Sequence, residues 1–175
     1  MPSARLRGLP DRIPSDLRVL FVGINPGLRS AETGHHFAGP SNRFWRLLHE
    51  SGLVPEHLGY EDDARVQEWG YGLTNLIPRP TSGIDGLTKE DYLSGRRLLL
   101  SKIRRRRPRV VALVGVTIFR ALFPEMRGKV ALGLQKETLE GKCLFVLPNP
   151  SGRNATVPYR GMLAAFRKLR RYLEK

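Results

Sequence analysis

Side chains able to do chemistry gather in three loop-like stretches of this 175-residue chain. In the first, Gly23, Ile24, Asn25, Pro26 and Gly27 follow a short apolar run, and Gly34, His35, His36, Phe37, Gly39 and Pro40 come soon after. The proline forbids regular pairing, while the glycines let the backbone bend sharply and approach a ligand. Asn25 reads two ways there, as a turn residue and as a functional amide. The His35 and His36 pair looks like the start of a metal site, but no cysteine or second histidine cluster accompanies it, so no metal is expected. The second stretch carries Asn75 and Thr81 around Pro78 and Pro80; on composition these are a strand-end polar residue and a turn cap. The third runs from Pro148 through Asn149, Pro150, Ser151, Gly152, Arg153 and Asn154. GINPGLRS lacks both the Gly-Lys-Ser/Thr ending of a P-loop and the three-glycine dinucleotide fingerprint, which ranks a nucleotide-phosphate cradle last.

Such loops need strands to hold them. Residues 19–22 are apolar and too few for an independent helix, so they read as a buried strand. Ser41 and Asn42 offer an N-cap for a helix running to Gly52. Residues 61–69 read as a short helix with acidic residues in its first turn, and residues 72–77 as a second strand. Thr88, with Asp91 three residues on, predicts a capped helix that ends in Arg104, Arg105, Arg106 and Arg107. Residues 110–114 and 144–147 read as two more strands, with a short helix after Gly115. Residues 124–142 are poorly periodic and suggest no element. From Pro158, Met162, Ala165, Phe166 and Leu169 form one helical stripe. Strands alternating with helices imply parallel pairing, hence a three-layer α/β/α sandwich on a short central parallel sheet. In such sheets ligands bind beyond the carboxyl ends of the strands, where all three loops must lie.

Lys and Arg number 30 against 16 Asp and Glu, a net charge of +14. That favours an anionic partner, nucleic acid first, with an acidic membrane surface or a generally basic proteome as alternatives. The arginine run is explained equally by the dipole at a helix C-terminus and by phosphate contact. A single cysteine, Cys143, excludes an internal disulfide and is expected in the core. No apolar run approaches ~20 residues and no h-region opens the chain, so a cytoplasmic protein, neither secreted nor membrane-spanning, is expected. Residues 1–16 read as a loosely packed basic arm ahead of one domain over 17–175.

GINPG at 23–27 with GHHFAGPSNRFW at 34–45, LTNLIPRPT at 73–81 and LPNPSGRNA at 147–155 together resemble one family. It is the mismatch-specific uracil and thymine DNA glycosylases, the mug and thymine-DNA glycosylase branch of the uracil-DNA glycosylase superfamily. The resemblance runs from about residue 17 to the last helix. It implies a cofactor-free, monofunctional glycosylase, expected as a monomer, acting on double-stranded DNA with G·U or G·T mispairs. The enzyme would flip the wrong base out of the duplex and hydrolyse its bond to deoxyribose, leaving an abasic site. Asn25 falls on the catalytic asparagine, which would hold a water against the anomeric carbon. Phe37 matches the aromatic that stacks on the flipped base, and Gly23, Ile24, His36, Asn75 and Thr81 match pocket positions. Asn149, Pro150 and Ser151 resemble the loop that grips phosphate, and Gly152, Arg153 and Asn154 the wedge that fills the vacated space. Arg153 departs from the apolar residue of the bacterial pattern and resembles the thymine-acting members, and Asn154 replaces a serine. Asp85 and Asp91 read as a turn residue and a helix cap. The competing reading is a catalytically inactive, damage-binding module on the same fold, which would not need Asn25.

Overall fold

In the computed structural model, which describes residues 5–175, five strands form one sheet in the order β2-β1-β3-β5-β4. β1 (Val19–Gly23), β2 (Tyr71–Asn75), β3 (Val110–Val114) and β5 (Lys142–Leu147) are parallel, and β4 (Gly133–Leu139) runs antiparallel to β5. β1 and β3 are buried along their whole length, as strands covered on both faces must be. Their alternate side chains feed two cores. Val19 and Phe21 join Phe44, Leu47, Phe166 and Leu169, from α2 (Phe44–Glu50) and α5 (Tyr159–Leu173). Leu20 and Val22 join Leu99, Ile103, Ile118 and Phe119, from α3 (Lys89–Arg106) and α4 (Val116–Leu122). The expected three-layer α/β/α sandwich is therefore the observed architecture.

Parallel pairing in register sets the site. Gly23 lies level with Asn75, Val22 with Leu113, and Val114 with Leu147, so four strands end on one edge. α3 then returns from the carboxyl end of β2 to the amino end of β3. Its start is fixed as expected, with Thr88 Oγ1 accepting from the Asp91 N–H and the Asp91 carboxylate accepting from the Thr88 N–H. Its end carries the arginine run to the edge opposite the loops, where Arg104 pairs with Glu140 at 3.1 Å.

Several expectations are corrected. β4 lies in the stretch that suggested no element. Its apolar ends, Leu134 and Leu139, flank a polar middle and a register shift, and with one face exposed it leaves little periodic signal. A short helix, α1 (Leu28–Thr33), interrupts the first loop, entered from Gly27 and closed by Gly34 at φ 77°. The segment Tyr60–Trp69 is 3₁₀-helical. Cys143 is half-buried, accepting from the Tyr172 hydroxyl at 3.2 Å, instead of a full core residue. The arm is not loose near its end: Arg12 exchanges backbone hydrogen bonds with Leu73 on the edge of β2, and Asp11 pairs with Lys102 at 2.7 Å. The first four residues of that arm lie outside the described ones. Among the described residues no helix is long and apolar enough to cross a membrane.

α3 approaches the loop after β2 closely because residue 95 has no side chain: a β-carbon there would overlap the carbonyl oxygen of Leu76. Gly95→Ala would gain ~1 kcal/mol of helix propensity. The overlap with fixed backbone costs about 1–3 kcal/mol and wins. The expected outcome is a lower unfolding midpoint in urea; an equal or higher midpoint would contradict this packing.

Candidate active site

β1 leads to β2 on one side and β3 leads toward β5 on the other, so the order of strands reverses beside β1, where open α/β sheets form their ligand crevice. The crevice is present. A cleft of about 1750 Å³ opens there, lined by residues from the loops after β1, β2, β3 and β5. It exceeds the roughly 300–1,000 Å³ of common small-molecule pockets. Arg29, Arg120, Lys129, Arg153 and Lys168 are cations on its wall, and among the described residues no Asp or Glu lines it.

Asn25, half-buried, lines this cleft. Backbone bonds run on past the strand ends, from Leu76 N–H to Gly23 O (2.8 Å), Ile77 N–H to Ile24 O (2.9 Å) and Thr81 N–H to Pro26 O (3.2 Å). The Asn25 side chain is caught between the two loops: its Nδ2 donates to the Arg79 carbonyl at 2.9 Å and to Thr81 Oγ1 at 2.8 Å. Thr81 Oγ1 spends its own proton on Gly83 O at 2.7 Å, so toward Asn25 it can only accept. Both amide protons are therefore used, and among the described residues no protein donor is bonded to Oδ1 of this cleft-lining side chain. The Arg79 guanidinium in turn binds Asp91 at 2.6 Å and holds that carboxyl well below the usual range, with the Thr88 N–H adding to the effect. Asp91 thus anchors the loop and does not line the cleft.

Gly23 forms the adjoining wall. A β-carbon there would lie 2.7 Å from Asn75 Oδ1 and 3.6 Å from the Phe37 ring, so glycine lets both approach. Phe37 stacks on Phe44 with centroids 4.0 Å apart and planes 21° off parallel. It is also one of the few non-glycine residues in the left-handed region, at φ 53°. His36 lines the cleft but is almost entirely buried, its Nε2 donating to the Pro10 carbonyl at 2.8 Å. Burial pushes its pKa down, only partly opposed by that hydrogen bond.

The third loop is fastened to the first. Arg43 donates from its backbone to Pro150 O (2.9 Å) and from Nη2 to Ser151 O (3.0 Å), and Gly152 packs directly against Ser41. Pro150 is buried and Gly152 is exposed outside the cleft, whereas Asn149, Ser151, Arg153 and Asn154 line it. Asn154 donates to Asn149 O at 2.9 Å, and the Arg153 side chain is exposed, with no ion pair among the described residues. Of the sequence-derived set, then, Gly23, Ile24, Asn25, His36, Phe37, Asn75 and Thr81 come together, joined by four of the six third-loop residues. Missed in the sequence were Arg43, the rim cations Arg29, Arg120 and Lys129, and buried Asp63, which contacts both histidines. No local pattern marks these: Arg43 and Asp63 act on residues distant in the chain, and the rim cations reach the cleft only through the fold. No group of three or more His, Cys, Asp or Glu among the described residues is placed to hold a metal.

The model of the Uracil DNA glycosylase superfamily matches residues 10–174, and the chain belongs to that superfamily. Its members are DNA glycosylases, hydrolases that act on DNA. The fold is also similar to the solution NMR structure of a "putative Uracil DNA glycosylase" from Methanosarcina acetivorans, with a TM-score of 0.68. That protein is 20% identical, over 98% of this chain and 100% of its own.

The histidine in the wall yields a stability test. Folded His36 resists protonation because it is buried, while the unfolded chain gains a proton near pH ~6.5. Below that pH the unfolded state binds more protons, so stability falls as pH drops from ~6.5 toward the lowered native pKa. Urea unfolding at pH 7.5 and 5.5 is expected to give lower stability at 5.5, with a smaller difference in His36→Gln. An equal difference in both proteins would contradict the assignment.

Proposed function

We propose that this member of the superfamily is a monofunctional DNA glycosylase of the mug and thymine-DNA glycosylase branch. It flips uracil, with thymine as a second substrate, out of mispairs with guanine in duplex DNA and hydrolyses the bond from base to deoxyribose. The observation that carries this reading is the Asn25 amide, held by Arg79 O and Thr81 Oγ1, in a cleft rimmed by cations and, among the described residues, lined by no carboxylate.

Each part has a physical role. An amide cannot take up a proton, so Asn25 contributes by orienting a water at the anomeric carbon through Oδ1. The base leaves as an anion as the sugar gains positive character. The backbone of residues 23–27 lines the cleft and supplies polar groups to stabilise that anion. Phe37, already stacked on Phe44 on one side, offers an aromatic surface to the flipped base. Asn75 and His36 complete the pocket wall. Asn149, Ser151 and Asn154 grip the strand at the cleft mouth, and the unpaired Arg153 enters the stack and hydrogen-bonds the widowed guanine. The rim cations bind phosphates. The chain acts as a monomer through one domain over residues 17–175.

The inactive damage-binding module is disfavoured by the same amide. Binding alone has no use for a cleft-lining asparagine with both amide protons committed to the neighbouring loop.

Single-turnover incubation, without added metal, with labelled duplexes holding one G·U, G·T or A·U pair, followed by alkali, tests the proposal. The expected result is cleavage at G·U, weaker cleavage at G·T, and loss on the order of 10³-fold in Asn25→Ala with duplex binding retained. Absence of cleavage at every pair would overturn the proposal. A binding loss as large as the activity loss would remove Asn25 from the chemistry.

A further inference from the structure

Asp63 has no evident task in its own element. It lies in the 3₁₀ segment Tyr60–Trp69, where its neighbour Asp62 already caps the start by accepting from the Gly59 N–H at 3.0 Å. Yet its side chain is only 1% exposed. A carboxylate so buried needs partners, and it finds them in the first-motif loop and the arm. Oδ2 accepts from the backbone N–H of His36 at 3.0 Å, Oδ1 lies 3.1 Å from His35 Nδ1, and Arg12 Nε lies 3.3 Å from Oδ1.

These contacts border the strained residue. Phe37 holds φ 53°, a conformation that persists in a phenylalanine only where its surroundings dictate it. On its amino side the His36 N–H is held by Asp63 and the His36 carbonyl by Trp45 Nε1 at 3.1 Å. On its carboxyl side the Ala38 N–H donates to Ser30 Oγ at 3.0 Å. Buried groups from separate elements thus fix the backbone on both sides of one aromatic ring. Asp63 is the acidic one among them, and it also ties the loop to Arg12 on the docked arm.

We propose that Asp63 is a positioning residue that fixes residues 35–37 so that the Phe37 ring is presented to the flipped base. This rests on reading the cleft as a base pocket. Asp63 touches neither base nor water; it acts through the backbone of His36 and the left-handed turn at Phe37. Its loss slackens the stacking surface while leaving the sheet and the phosphate-binding rim in place.

The test uses the full chain as wild type, Asp63→Ala, Asp63→Asn, Phe37→Ala and the double variant Asp63→Ala with Phe37→Ala, with Asp63→Leu filling the same space should the alanine variant not fold. Asparagine keeps an oxygen for the His36 N–H and is the rescue variant. Without the carboxylate, deuterium exchange at residues 35–38 is expected to quicken while β1 and β3 stay protected. The single-turnover rate on a G·U duplex is expected to fall on the order of 10- to 100-fold. Affinity for a duplex carrying an abasic analogue, which has no base to stack, should remain unchanged. Asp63→Asn should recover much of the rate, and Asp63→Ala should cost little more once Phe37 is already alanine. Unchanged exchange at residues 35–38 would overturn the proposal, as would losses that multiply in full in the double variant. If the wild type cleaves no duplex, the glycosylase reading fails, while the exchange measurement still decides whether Asp63 holds the loop.

Discussion

The site depends on a ladder that does not stop where the sheet does. Beyond Gly23 and Asn75, the loops after β1 and β2 keep exchanging backbone hydrogen bonds as far as Pro26 and Thr81. Asn25 closes the gap between them with its side chain. Neither loop could hold that amide alone. Pro26 removes a donor from the first, and Pro78 and Pro80 remove two from the second, so each loop relies on the other for its remaining partners. The Arg79 and Asp91 pair, exposed and adding little stability of its own, ties the second loop to the first turn of α3. Gly95 in turn lets α3 lie against Leu76. The orientation of one amide is thereby tied to helix packing on the far face of the sheet.

The electrostatics of the cleft follow the same economy. Two carboxylates beside the site are occupied: Asp91 by Arg79, and Asp63 by Arg12 and the loop histidines. The wall presents only cations and neutral groups. In the proposed reaction this favours a polyanionic ligand and a departing anionic base, and it leaves water without a general base. Chemistry of that kind draws its rate from orientation and from stabilising the leaving group, which is why the geometry around Asn25 and Phe37 matters more than any titrating side chain.

Much of this was legible in the sequence, for definable reasons. β1 and β3 are continuous apolar runs bounded by breakers, and the Thr88 and Asp91 spacing encodes its cap within four residues. The three Gly- and Pro-rich loops had to follow parallel strands, and so had to meet at one edge. β4 escaped because an edge strand with an exposed face needs little apolar sequence. α1 escaped because six residues without a side-chain cap leave no signature. Pro150 was grouped with the phosphate-gripping loop and Gly152 with the wedge by motif, yet neither lines the cleft, because contacts to Arg43 and Ser41, more than 100 residues away, fix their positions. Asp63 was read from its local position as a charge favoured by a helix start, whereas contacts 27 and 28 residues back along the chain decide its role.

The most direct test of the central claim compares the wild type with Thr81→Val and Thr81→Ser. Valine keeps the shape of threonine but cannot accept from Asn25 Nδ2, whereas serine can. Single-turnover excision at G·U is expected to fall at least about tenfold in Thr81→Val and to stay near wild type in Thr81→Ser, with duplex affinity the same in all three. Equal rates in the valine variant and the wild type would show that the amide needs no such restraint, and would contradict the account.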